Sequence, residues 1–169
     1  MLRLIEPIGD ELISLKEAVV QVKADGDIEE ENNHIEKVLI PGARGIAEEI
    51  TGSILRKGIY TESITSGQSL SKGNVSKIES VLSGEVSVAF QHKRVAGRSV
   101  ITTDQVSPTT LLEVRFEAGF DRDECPDQLR AWLLMVLGFL YKDRDLSSKD
   151  PKIRNLDFLL SSFTVPSGF

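Results

Sequence analysis

Leu112-Glu113-Val114-Arg115-Phe116-Glu117-Ala118-Gly119-Phe120 is followed, after five intervening residues, by Pro126-Asp127-Gln128-Leu129-Arg130-Ala131. In the first stretch Leu112, Val114, Phe116 and Ala118 alternate with Glu113, Arg115 and Glu117, the period of a strand with one face in a core. In the second, proline and an aspartate open a helix, where a missing N–H costs nothing and negative charge meets the helix dipole. That helix runs through Leu129, Trp132, Leu133, Val136, Leu137 and Leu140 to about Lys142–Arg144. Met135, Phe139 and Tyr141 fall off its main apolar face, so the segment is apolar nearly all round. Such a helix is covered on several sides. Either it is the central element of its domain, or neighbouring copies cover the far face, which makes Met135, Phe139 and Tyr141 the candidate oligomer interface.

Working outward, Ser14-Leu15-Lys16-Glu17 is a capping box, and Leu15, Ala18, Val19 and Val22 give a short amphipathic helix. A longer helix is expected from Ile28 to about Thr51, with Glu29, Glu30 and Glu31 in its first turn and Pro41-Gly42 kinking or splitting it. Strands are expected at Ile59–Ile64, Val86–Phe90 and Ser99–Thr102, the last two joined through His92–Gly97. Val75–Leu82 fits a strand and a short helix equally. A last helix is expected over Pro151–Leu160, and the tail from Ser161 has no helical period. The resulting fold class is α+β, mainly α: a helical bundle of about four helices, with a small antiparallel β region inserted between the second and third. The domain reading is one domain over 1–160, with 54–119 as the β-rich insertion and 161–169 as a tail.

Composition narrows the chemistry. With 169 residues, 40% of them hydrophobic and 27% charged, the chain can bury a sizeable core. A net charge of −6 argues against reading nucleic acid, which needs clustered Lys and Arg. One cysteine, Cys125, excludes an intrachain disulfide. The start lacks the apolar run of a signal peptide, and the uncharged stretch Ala131–Tyr141 is short of the roughly 20 residues that span a bilayer. A soluble protein made in the host cytoplasm, without membrane contact, is the expectation.

Catalytic patterns are not found. His34 and His92 lie on different elements without ligand-spaced partners. Cys125 precedes a helix start, where a thiol can become acidic, but has no CxxC partner or evident base. Gly42-Ala43-Arg44-Gly45 fits no phosphate-binding loop, and Asp25–Glu31 lacks the register of a calcium loop. The chain therefore reads as no enzyme, with no cofactor and no metal; a small enzyme assembled from scattered residues is the competing reading. Gln91-His92-Lys93-Arg94-Val95-Ala96-Gly97-Arg98 is the local excess of positive charge. It is a solvated hairpin tip or a contact for a phosphate backbone or an acidic partner.

Three stretches together resemble the head–tail connector (adaptor or head-completion) proteins of tailed bacteriophages. They are Met1–Pro7 with Ile13–Ala18, then Ile28–Gly52, then the opening stretch through Tyr141-Lys142-Asp143-Arg144. In that family a strand ending in Ala-Gly-aromatic leads through a short loop and proline to a helix closing on Tyr-x-x-Arg. Ser66–Thr110 does not align. The resemblance implies a virion protein of the neck: a homo-oligomeric ring, commonly of twelve copies, docked beneath the portal protein. The ring would continue the channel through which DNA passes without sequence-specific binding, with a stopper or tail-completion protein as its further neighbour. It also implies a carboxy-terminal segment that docks into the portal, a role that falls on Phe163, Val165, Pro166 and Phe169. A stopper or tail-completion protein of the neck is the alternative.

Overall fold

In the computed structural model, residues 1–143 and 151–166 are described. The chain forms two compact units. One comprises Met1–Gly9, Gly52–Gly119 and the segment from Val165; the other comprises Asp10–Thr51 and Phe120–Thr164.

The first unit is built on a sheet. Its strands are β1 (Arg3–Pro7), β2 (Gly58–Thr65), β3 (Val75–Ser83), β4 (Val86–Ser87), β5 (Gln91–Val95), β6 (Arg98–Thr102) and β7 (Leu111–Ala118). Five form an antiparallel sheet in the order β1-β2-β7-β3-β4, and β5 pairs with β6 in a ribbon. β7 is the predicted alternating strand. Leu112, Val114, Phe116 and Ala118 are all fully buried, and β7 pairs with β2 on one side and β3 on the other. Tyr60 stacks on Phe116, its register partner, with ring centroids 6.0 Å apart, which adds to the burial. Ile54, Ile64, Leu70, Val81 and Ile101 complete this core. Gly119, just past β7, has φ +97°, and a Cβ there would strike the backbone of Arg56. The Ala-Gly-aromatic close of the strand thus needs its glycine.

The second unit is helical. It contains α1 (Leu15–Val22), α2 (Glu29–His34), a π-helical turn (Ile35–Leu39), α3 (Ile40–Thr51), a 3-10 turn (Arg122–Glu124) and α4 (Asp127–Lys142). α5 (Pro151–Arg154) and a 3-10 helix (Asp157–Phe163) follow. The capping box is realised: the Glu17 backbone N–H donates to Ser14 Oγ at 3.2 Å, and the Ser14 N–H donates to Glu17 Oε2 at 2.9 Å. The core is Leu12, Ile35, Leu39, Ala43, Ala47, Leu129, Trp132, Leu133, Val136, Leu137, Ile153 and Leu160, all buried.

The fold class differs from the helical bundle expected. Among the described residues strands and isolated bridges take 30% and helices 38%, and the sheet is a five-stranded body with its own core. Nor is it purely an insertion, because β1 comes from ahead of the first helix. Local signals such as caps and helical periods lie within one turn, whereas sheet pairings join residues far apart in sequence, so the sequence pattern displays the helices more openly than the sheet. The individual elements shift in instructive ways. Val75–Leu82 is a strand, whose period is blurred by register shifts between Val75 and Lys77 and between Ile78 and Ser80. The Val86–Phe90 strand shrinks to two residues. Its neighbour β5 begins at Gln91, because the tight turn at Ala96-Gly97, both with positive φ, sets the ribbon register. Pro41 does not divide the second helix. The helix passes it through the π turn, the Ile40 N–H donating to Ile35 O, a known way of absorbing a missing donor. The last predicted helix breaks after Arg154 and resumes as 3-10 helix.

Candidate functional site: the outer face of the long helix

α4 is held in place by an ionic frame within the helical unit. Arg130 donates to Glu17 Oε1 at 2.6 Å and to the carbonyl of Arg122. Arg122 Nε donates to the Glu11 carbonyl at 2.9 Å, and the Arg44 guanidinium bridges Glu11 and Glu48 at 2.9 and 3.1 Å. These are charge-assisted contacts that fix orientation. Burial pushes the Glu17 carboxyl up, but Ser14 and Arg130 together hold it below its ordinary value. The inner face of α4 is sealed: Leu129, Trp132, Val136 and Leu137 are fully buried.

Its outer face is not sealed. Met135 and Phe139, four residues apart and so on one stripe, are only half-buried. They floor a shallow cleft of about 250 Å³, together with Gly138 and Val22 of α1. Gln21, Lys23 and Lys142 rim it. Lys23 closes α1 in the left-handed conformation, φ 58°, which turns the chain away and leaves the cleft open. Val20, one turn back, is 72% exposed.

Tyr141 is not on this stripe. Its hydroxyl donates a short hydrogen bond to Glu31 Oε1, and that bond raises the phenol above its ordinary pKa. Among the predicted interface residues, Met135 and Phe139 come together and Tyr141 stands apart.

The tail residues divide likewise. Phe163 is half-buried at the end of the 3-10 helix in the helical unit. Val165 seats in the sheet unit against Gly73 and Gly97, where a Cβ at Gly73 would collide with its Cγ2. Arg98 donates to the Pro166 carbonyl at 3.4 Å. Val165 and Pro166 thus already have partners in their own chain, while Phe169 lies outside the described residues.

The remaining sequence candidates are placed as follows. His92, Lys93 and Arg94 are exposed on β5. Arg94 donates to the Val75 carbonyl at 2.6 Å and His92 Nε2 meets Ser99 Oγ at 2.9 Å. Burial and the Arg94 charge push the His92 imidazole below its ordinary pKa. Cys125 is buried, and burial pushes its thiol up. His34 is half-buried in the last turn of α2. Among the described residues no cluster of His, Cys, Asp and Glu could hold a metal, and no helix is long and apolar enough to cross a membrane.

Sequence reading identified one wall of the cleft and missed the other, Val22 and Lys23, whose place depends on α1 packing beside α4. It also passed over Phe158, which stands 69% exposed on the 3-10 helix. The available signal was its phase, since it falls between the apolar positions Ile153, Leu156, Leu159 and Leu160.

No family model and no curated protein matches the sequence. Solved structures do match in fold. A chain of "Virion of native gene transfer agent (GTA) particle" superposes with a TM-score of 0.75 at 17% identity, covering 100% of this chain and 97% of that one. A chain of "Neck of empty GTA particle computed with C6 symmetry" gives 0.74 at 14% identity, again with 100% and 97% coverage. A chain of "Neck of native GTA particle computed with C12 symmetry" gives 0.62 at 17% identity over the same shares. The two-unit chain described above therefore shares its fold, end to end, with chains of gene transfer agent particles.

Proposed function

We propose that this protein is a structural component of the neck of a phage-like virion, where copies of it form a ring between head and tail. The observation carrying this reading is the end-to-end fold match to chains of gene transfer agent particles, two of them from neck structures computed with sixfold and twelvefold symmetry. The match spans 100% of this chain and 97% of each neighbour. The sequence resemblance to head–tail connectors points the same way independently. In this reading the ring sits beneath the portal, has twelve copies, and continues the DNA channel. The net charge of −6 suits such a passage, since an acidic wall repels the duplex. The protein is no enzyme in this reading; its work is assembly.

Native mass measurement of the purified chain, alone and with the portal protein, tests the proposal. The expected result is a closed oligomer, either spontaneous or formed on the portal. A chain that stays monomeric and ignores portal contradicts it. Electron microscopy of particles made without the protein separates the two neck roles. Loss of a connector leaves DNA-filled heads that cannot hold tails. Necks that retain a ring of another protein would favour the stopper or tail-completion role.

A further inference from the structure

A ring needs a head-to-tail contact in which one patch of a subunit meets a different patch of the next. Resting on the ring reading, we propose that Phe158 of one copy inserts into the Met135–Phe139–Val22 cleft of the next. Both halves of this contact lie in the helical unit, and each is left unfinished by its own chain.

The plug is well built. Phe158 is the one aromatic side chain among the described residues that is exposed rather than half-buried or buried, at 69%. It is presented from an anchored element: Leu160 and Ile153 on either side are fully buried. Ser161 Oγ also donates to the Phe158 carbonyl at 2.9 Å. A phenylalanine exposed on a held backbone can meet a partner without the entropy cost of ordering a loose segment.

The socket has matching chemistry. Its floor is apolar, with a thioether in Met135 and a ring in Phe139, and sulfur and aromatic groups pack well on an inserted ring. Its volume of about 250 Å³ accommodates one aromatic side chain. Lys23 and Lys142 stand at the rim, where ammonium groups can meet a ring face.

Phe158 does not occupy the socket of its own subunit, since it is 69% exposed. Ser162, four residues after Phe158, touches Gln128 in the first turn of α4, Oγ to Oε1 at 3.5 Å. The cleft residues of α4 run from Met135 to Lys142, roughly 10–20 Å further along the axis at 1.5 Å per residue. A plug and a socket on different elements of one subunit are the arrangement that propagates from copy to copy.

A cysteine pair tests the contact. In the Phe158→Cys, Met135→Cys double variant, mild oxidation should yield a ladder of covalent oligomers on a non-reducing gel. Each single variant should yield none, since the native Cys125 is buried. Independently, Phe158→Asp should weaken subunit association by about thirty-fold or more, the effect of losing an interface hot spot, with an unchanged melting temperature. Double-variant rings of normal mass that remain uncrosslinked, or a disulfide within one chain, overturn the inference and leave the ring reading standing. So does association unaffected by Phe158→Asp. A wild-type chain that never assembles, alone or on portal, removes the ring reading and this contact with it.

Discussion

β7 and α4 are the central elements of their units, and they differ in how completely their own chain encloses them. β7 has one apolar face and a neighbouring strand on each side; its four inward residues are all fully buried. α4 also buries a full face, yet it keeps Met135 and Phe139 half-buried beside an open cleft. A strand with period two has only one face to satisfy, and the sheet's own residues suffice. A helix that is apolar nearly all round has more surface than a few short helices can cover. The difference teaches where each kind of free energy resides: β7 and the inner face of α4 hold the fold, and the outer face of α4 is the surface that the proposed assembly would cover.

Substitutions break or sharpen this contrast. The largest effects belong to the enclosed residues. Phe116→Ala and Trp132→Ala should each destabilise by about 3–5 kcal/mol, the usual range for truncating a buried aromatic, measured by denaturant unfolding. Values near 1 kcal/mol would mean that these faces are less sealed than their burial indicates. An intermediate effect is expected from Ser14→Ala, which removes the cap of α1, the helix forming the other wall of the cleft. It should cost about 1 kcal/mol and make backbone amides of α1 exchange faster. The smallest effect is at the rim of the contrast, Tyr141. Its hydrogen bond to Glu31 raises the phenol pKa in the folded state. Above the ordinary value of 10.0 the unfolded chain releases this proton more readily than the folded chain. Stability from the bond is therefore complete below that value and is lost as pH rises through the folded pKa. Wild type should lose melting temperature above pH 10 more steeply than Tyr141→Phe; parallel curves would show that the bond contributes nothing.

The same contrast explains what was legible in the sequence. β7 was readable residue by residue because its environment is regular, and Pro126 with the apolar run marked α4. β1 and β5 were not readable as strands, because every residue in both is exposed and exposure leaves no alternation to detect. β3 was blurred by its two register shifts. Helical periods are legible in the sequence and exposed strands are not, so the pattern suggests a bundle where the chain builds a sheet unit and a helical unit. At the candidate site, Met135 and Phe139 were found because an apolar residue off the main face is a local signal. Val22 and Lys23 needed tertiary information, namely how α1 lies along α4, whereas Phe158 carried a local signal in its phase.

The most direct measurement compares the oligomeric mass of wild type and Phe139→Asp by native mass spectrometry at matched concentrations, in the presence of portal if portal is required, with thermal melting as the check on folding. The expected result is a closed ring for wild type and a folded monomer for Phe139→Asp, whose stability falls by only about 1 kcal/mol. Rings of equal mass and equal stability to dilution from both proteins would contradict the claim that the outer face of α4 is where copies meet.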